Sequence, residues 1–389
     1  MIRLLSLTSA YPDQEWPGAG SFVEHQLRAL AARPGIEVEV VAPVGLPPFP
    51  LSLAPRYRRE RALPPSESWN GLRVHRPRFR QPLSGNRWRV EAIARALHPA
   101  VQAIRRRFPF DILHAEFFWP DGPVALRLAR ALGIPFSIKA RGGDFERAAD
   151  GHDWAREQVM EAGAGAARLL AVSRTLRSAM IACGLPEDLI AVHRTGLDRA
   201  RFRLRDRAAA KAALKVEGTL LLNVGNLVPR KRQHLALESI ARLPEATLVI
   251  VGGGPDRPAL ERHARDLGVD GRVRFMGAIL QPLMPFFYAA ADVTVHTAEL
   301  EGLSNVWVES LACGTPVVTT DAGAAREVID RPAAGRIAAS DPAAIAAAVR
   351  ELLWKPPRPE AVAACVDGYG WERSAEELEA HLRAALSRA

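Results

Sequence analysis

The chain is predicted to be an α/β protein with two parallel-sheet domains, and three observations carry that expectation. Short β-branched or leucine-rich runs alternate with helical patterns along most of its length, the pattern of βαβ units. At 389 residues it is about twice the usual size of a single domain. The alternation also falls into two sets, separated near Leu197 to Ala210 by a polar, arginine-rich connector. The division is placed at 1–200 and 201–371, followed by an amphipathic helix that begins near Trp371.

The first set of strands is read in IRLLSLT, IEVEVVA, DILHA, IPFSIK and RLLAV, the second in TLLLNVG, ATLVIVG, RVRF, DVTVH and PVVTT. After the first strand, Gly18 and Gly20 lead into a helix with Ser21 as its cap, Glu24 as the partner of a capping box, and Val23, Leu27 and Leu30 as its buried face. Such a glycine loop suits a phosphate and equally suits a tight turn without ligand. His114 stands at the carboxyl end of a strand, the edge at which open α/β sheets bind ligands; a structural histidine is the competing reading. A later strand ends in Arg141, Gly142, Gly143 and Asp144.

In the second set, a strand ends at Gly225, and Arg230 and Lys231 precede a helix whose Leu235 and Ile240 face a core. Two cations at a helix start oppose the dipole unless an anion lies between them. Gly252 to Gly254 follow another strand; without the GxGxxG spacing they read as a strand-to-helix turn passing close to a nucleotide. The most informative stretch is Glu299 to Thr320. Ser304 or Asn305 is its N-cap, a short helix runs to about Cys313, and Gly314-Thr315-Pro316 ends that helix before an apolar strand. Glu301, with Gly302 and Leu303, thus lies in the loop before the helix and Glu309 within it. The free N–H groups of the helix start form an anion site. One carboxylate then reaches a group just beyond the anion and the other a group just behind it, a layout that fits a sugar joined through a diphosphate to a ribose.

Composition bounds the setting. Apolar residues make up 48% and charged residues 24%, as in ordinary globular proteins. Cys183, Cys313 and Cys365 are widely spaced and show no metal-ligand pattern, which argues for a reducing, cytoplasmic setting without disulfides. The amino-terminal run reads as a strand rather than a signal peptide, and no transmembrane helix is expected. Net charge is +9, yet residues 51–110 alone hold fourteen Arg, no Lys and three Glu, a local +11. With Tyr57, Trp69, Phe79 and Trp88, this segment suits an anionic membrane face or a polyanion. Solvated loops in an arginine-rich protein account for it equally well. Nucleic acid is not an expected partner, since neither a helix-turn-helix nor a zinc spacing accompanies the charge.

Glu301-Gly302 followed by Glu309, and Ala312-Cys313-Gly314-Thr315-Pro316-Val317-Val318, resemble the E-x7-E signature of family 4 of the retaining glycosyltransferases. The resemblance implies the GT-B fold: two Rossmann-like domains facing across a cleft, with residues 372–389 crossing back to an acceptor-binding first domain. It implies that Glu301 binds sugar hydroxyls and Glu309 the ribose, and that Arg230 and Lys231 hold the diphosphate with the helix start at Ser304 and Asn305. Gly225, Gly252, Gly253 and Ile279 would border the nucleotide. Gly18, Gly20, His114, Arg141, Gly142 and Asp144 would face the acceptor or the cleft. Several residues depart from the pattern: Glu116 stands where a second histidine is frequent, Arg141 replaces the sugar-contacting histidine, Thr195 an asparagine and Arg232 a glycine. Arginine cannot accept a proton, so a base role is not carried over to position 141.

The implied activity is retaining hexosyl transfer from a UDP- or GDP-sugar to a sugar or lipid-linked acceptor hydroxyl, in polysaccharide or glycolipid synthesis. No cofactor and no metal are expected, since the sequence has no Asp-x-Asp. The setting is the cytoplasm, at the inner face of its membrane. A nucleotide-sugar-binding scaffold without turnover and a non-hydrolysing nucleotide-sugar epimerase stand as alternatives.

Overall fold

The structure is a computed structural model that describes residues 1–82, 88–149 and 151–388. Arg87, one of the arginines of the basic segment, and Ala389, the last residue of the expected returning segment 372–389, lie outside the described residues. The chain forms two compact units, one of Met1–Gly196 with Trp371–Ala389 and one of Leu197–Gly370.

The first unit holds β1 (Ile2–Leu7), β2 (Ile36–Val41), β3 (Val44–Leu46), β4 (Ser66–Trp69), β5 (Leu72–His75), β6 (Arg78–Arg80), β7 (Ile112–Ala115), β8 (Phe136–Ala140), β9 (Arg168–Ala171) and β10 (Ile190–Val192). Eight of these form one sheet in the order β10-β9-β8-β7-β1-β2-β5-β4, parallel except for the last pair, while β3 and β6 pair separately. The central strands are apolar on both sides because helices cover both faces. Val23, Leu27 and Leu30 of the helix Ser21–Ala31 pack with Leu4, Val38 and Val40. Leu378 and Leu382 of the helix Trp371–Leu386 join the same core, which ties the carboxyl-terminal helix to this unit.

Two local features differ from the sequence reading. The capping box is not formed: Gly20 is the cap residue, at φ +68°, and no side chain caps the helix. A Cβ on Gly20 would lie 2.2 Å from the Ala10 carbonyl oxygen, so the close crossing of two chain segments, rather than a serine hydroxyl, sets this helix start. Glu24 is turned away and accepts from Asn70 Nδ2. The second feature is a hairpin. Asn70 and Gly71, at φ +48° and +88°, join β4 to β5 in antiparallel register, as an Asn-Gly pair with positive φ favours.

The second unit holds β11 (Thr219–Val224), β12 (Ala246–Val251), β13 (Val273–Gly277), β14 (Val293–His296), β15 (Val317–Thr320) and β16 (Gly335–Ala338). They form one wholly parallel sheet in the order β13-β12-β11-β14-β15-β16. Counted within the unit this is the 3-2-1-4-5-6 order of dinucleotide-binding sheets, in which strand order reverses between the first and fourth strands and opens a crevice at their carboxyl ends. Leu221, Leu248, Ile250 and Val293 of the sheet pack against Ile240, Ile345 and Val349 of the covering helices. Among the described residues no helix is long and apolar enough to cross a membrane.

Candidate active site

The crevice of the second unit lies between the ends of β11 and β14, and the chain leaving each strand carries the predicted charges. From β11, Gly225 leads through a single 3-10 turn, Pro229–Lys231, to Arg232 and the helix Gln233–Ile240. Arg232 adopts φ +48°, the left-handed region glycine enters without strain, and its guanidinium pairs with Glu299. From β14, His296 leads through Thr297 to Glu301. The two loops are laced together: Glu299 N donates to Arg230 O at 2.9 Å, and Thr297 Oγ1 donates to the carbonyls of Lys231 and Arg232, each at 2.9 Å.

This lacing brings Lys231 Nζ onto Glu301 Oε1, with His296 Nε2 3.3 Å from the same oxygen. Burial pushes the Glu301 carboxyl up, but hydrogen bonding and charge from His296 and Lys231 outweigh it and hold the group down at about 2. Glu301 is therefore an anion. Burial lowers His296, and the positive charges of Lys231 and Arg230 add to that against the pull of Glu301. Arg230 is exposed, and among the described residues no acidic side chain pairs with it. Behind Glu301, Gly323 at φ +52° passes so close that a Cβ would lie 1.7 Å from the Glu301 carbonyl oxygen, and Ala324 N donates to Gly302 O at 3.0 Å. Gly323 and His296 hold this loop in place, and the sequence reading gave neither a role. A histidine at the carboxyl end of a strand was the available signal for the second; nothing local announced the first.

Ser304 occupies the cap position of the helix Asn305–Ala312, yet its side chain does not cap it. Its hydroxyl instead lies 3.4 Å from His296 Nε2. The first N–H groups of this helix are thus left for an anion. Leu303 is buried beside them. Glu309, one helical turn inward, accepts from the Tyr288 hydroxyl at 2.8 Å. Burial lifts its carboxyl to about 7, and the Tyr288 hydrogen bond and the Arg201 charge only partly offset that. The other glycines lie along the same edge. Gly252, at φ +142°, has Gly225 O 1.9 Å from where its Cβ would be, and Gly253 O accepts from Leu227 N at 2.9 Å. Ile279 follows Gly277, whose carbonyl accepts from Gly252 N at 2.8 Å.

The residues expected to face an acceptor gather at the matching reversal of the first sheet, between the ends of β1 and β7. Glu116, just beyond β7, is fully buried. It accepts from Arg141 Nη2 at 2.6 Å, from Ser6 Oγ at 3.1 Å and from Gln26 Nε2 at 3.0 and 3.2 Å. Two of the departures from the family pattern, Glu116 and Arg141, are therefore partners. Arg141 also donates through Nε to Glu116 O at 2.8 Å and lies 4.7 Å over the ring of Phe22, which follows the Gly18–Gly20 loop. His114 is wholly buried with Nδ1 2.8 Å from Ser137 Oγ; burial lowers it to about 4. Asp144 accepts from Phe118 N at 2.6 Å and Arg141 N at 2.9 Å, and fixes the turn through Gly142; burial lifts it to about 6. Gly18 is exposed one turn before the helix.

Lys139, which the sequence reading passed over, is completely buried. Its Nζ lies 2.6 Å from Gln26 Oε1 and 2.9 Å from His193 Nδ1, and His193 Nε2 donates to Ser374 O at 2.9 Å. Burial takes Lys139 well below its ordinary range, reinforced by Arg141. Among the described residues no three His, Cys, Asp or Glu side chains gather as a metal site.

A doubly wound parallel sheet with a basic, uncapped crevice at its reversal is the frame on which α/β proteins hold phosphorylated ligands. The chain matches the family model of glycosyl transferases group 1 over residues 205–364 and that of the glycosyl transferase 4-like domain over residues 17–196. It is similar to the D-inositol 3-phosphate glycosyltransferase of Frankia alni, 33% identical over 309 residues that cover 72% of this chain and 75% of that one. Among solved structures it resembles sucrose-phosphate synthase from Thermosynechococcus elongatus, with a TM-score of 0.82 over 100% of both chains at 19% identity. It also resembles Anabaena HepE in complex with UDP-glucose, with a TM-score of 0.75 over 98% of this chain and 100% of that one, also at 19%. The chain belongs to family 4 of the glycosyltransferases and has the GT-B fold.

Proposed function

We propose that the protein transfers a hexosyl group from a UDP- or GDP-sugar to an acceptor hydroxyl with retention of anomeric configuration and without a metal ion. The observation that carries this reading is the second crevice, where the Lys231–Glu301 pair, the unpaired Arg230 and the uncapped helix start at Asn305 lie along one sheet edge. Arg230, Lys231 and the helix N–H groups stabilise the leaving diphosphate by charge already in place before the reaction, the role a metal would otherwise fill. Glu301, held as an anion by Lys231, accepts hydrogen bonds from sugar hydroxyls, and Glu309 accepts from the ribose. The acceptor proton passes to the leaving phosphate as the new bond forms on the same face. Gly225, Gly252, Gly253 and Ile279 border the base and ribose, and the first unit binds the acceptor, a sugar or a lipid-linked sugar of polysaccharide or glycolipid synthesis at the inner face of the cytoplasmic membrane. The UDP-glucose complex of HepE and the phosphorylated acceptor named for the Frankia alni relative support the choice of substrates.

A scaffold that binds the donor without turnover is the second reading, favoured by Arg141, which cannot act as a base and is committed to Glu116. A thermal-shift panel of UDP, GDP, ADP and their sugar conjugates, with and without magnesium, tests both. A specific ligand at 100 times its Kd adds about 2.7 kcal/mol of stability. A shift with one base and no need for magnesium, followed by sugar transfer to an acceptor, supports the transferase. A shift without turnover on any acceptor leaves the scaffold. No shift with any nucleotide overturns both.

A further inference from the structure

Of the aromatic side chains that suit the basic segment to an anionic membrane face, the structure exposes Trp88, at 61%, and covers two others. Phe79 is buried at 5% exposure and Trp69 packs on the core of the first unit. Four further large apolar side chains reach solvent: Phe49 at 79%, Leu51 at 47%, Leu53 at 58% and Trp16 at 60% exposure. Phe49, Leu51 and Leu53 occupy the tip of a loop whose last three residues, Leu51–Leu53, form a single 3-10 turn.

That tip is braced rather than loose. Arg61 Nη1 donates to the carbonyls of Ser52 and Ala54, and Arg78 Nη2 donates to those of Arg61 and Leu63 at 2.7 and 3.0 Å. Arg59 pairs with Asp13 and lies 3.9 Å over the ring of Trp16, which draws that indole onto the same surface. Arg80 is in register with Leu46, three residues before Phe49. Six arginines, at 56, 58, 59, 61, 78 and 80, thus lie on the elements that follow or brace the tip, and among the described residues the acidic side chains that pair with them are Asp13 and Glu60, both on Arg59. Arg56, Arg58 and Arg80 are exposed and have no acidic partner among the described residues.

We propose that this surface docks the first unit on an anionic lipid bilayer. Phe49, Leu51 and Leu53 enter the boundary between headgroups and acyl chains, and the unpaired arginines meet lipid phosphates. The chemistry selects a bilayer over a soluble polyanion because large exposed apolar side chains on a basic surface match acyl chains lying beneath phosphates, and a polyanion offers them no apolar medium. Arginine stems and the Trp16 ring suit the headgroup layer. The proposal gives residues to the membrane partner of the proposed function, and rests on that reading only for its biological purpose.

The test uses the whole chain, sedimented with phosphatidylcholine vesicles with and without phosphatidylglycerol. The wild type is expected to bind only the anionic vesicles, and less as salt rises. At about fivefold per arginine, replacing Arg56, Arg58 and Arg80 together by Gln weakens binding roughly 100-fold. The Phe49→Ser, Leu51→Ser, Leu53→Ser variant loses stable binding, while both variants keep the wild-type melting temperature and nucleotide-induced shift. Three results overturn the proposal: no binding of wild type to either vesicle, undiminished binding by both variants, or a wild-type dimer that the triple Ser variant dissociates, which would make the tip a contact between copies. Vesicle binding without any nucleotide shift would sink the transferase reading and leave this one standing.

Discussion

The two sheets place charged side chains at the same topological position, the reversal of strand order, and use them in opposite ways. At the reversal of the first sheet nearly every charge is consumed internally. Glu116 is enclosed by Arg141, Gln26 and Ser6, Lys139 by Gln26 and His193, and Asp144 by two amides. A buried network satisfied to this degree fixes a conformation and has little free charge to offer a ligand. In the second unit, Glu301 is paired but Arg230 is not, and a helix start is uncapped. Unspent positive charge is what an incoming diphosphate needs. The comparison teaches that density of charge at a sheet edge is a poor guide to what the edge can offer a ligand; the charge left over after internal pairing is the better one.

The largest expected effect tests the consumed side. Glu116→Ala strands the Arg141 guanidinium in a buried site and should cost about 3–5 kcal/mol of stability, read as a fall in denaturant midpoint. A loss below about 1 kcal/mol would mean that the pair is not the stabilising element described. On the unspent side, Lys231→Ala should lower turnover on the order of 10²-fold, about 2.7 kcal/mol of transition-state stabilisation, with a smaller loss of stability than Glu116→Ala because His296 still faces Glu301. If the two substitutions exchanged these signatures, the contrast between the crevices would be wrong.

Glu309→Ala should raise the nucleotide Kd by roughly tenfold, the loss of a charge-assisted hydrogen bond, measured by calorimetry. A pH series sharpens this. The Glu309 carboxyl lies at about 7 in the folded protein, above its ordinary 4.5. The folded state therefore holds a proton that the unfolded state releases, so this group's contribution to stability falls as pH rises from 4.5 through about 7. A ribose hydroxyl prefers the ionised form, so nucleotide affinity should rise over the same interval and become flat in Glu309→Gln. Glu301 has the opposite sign: its carboxyl, depressed to about 2, contributes stability that is present above 4.5 and lost as pH falls between those values. The smallest effect is expected at Arg232→Gly, where relief of the positive φ opposes loss of the Glu299 pair, and the net change should stay within about 1 kcal/mol.

Most of the fold was legible because its strands are short apolar runs between helical patterns. Five strands of the second unit appear as such in the sequence, whereas β16 (GRIA) is too short and mixed to announce itself. The basic segment was the opaque part. Its strands β4, β5 and β6 alternate arginine or serine with a buried or half-buried residue, too short a pattern to stand out among the arginines, and the Asn70-Gly71 turn that joins two of them lies within it. In the second crevice, the loop positions of Glu301 and Lys231 and the helix start were readable from local order, while the roles given to them came from the family resemblance.

What residue order determined here is everything that depends on neighbours along the chain: the alternation of strands and helices, the glycines that end them, and the carboxylates before and within one short helix. Only the tertiary structure decided how charges meet. Glu116 and Arg141 are 25 residues apart, Lys231 and Glu301 70 apart, and Lys139 reaches His193 across 54. Which cations were neutralised and which remained free was set by the order of the strands in each sheet, because that order chooses the loops that become neighbours.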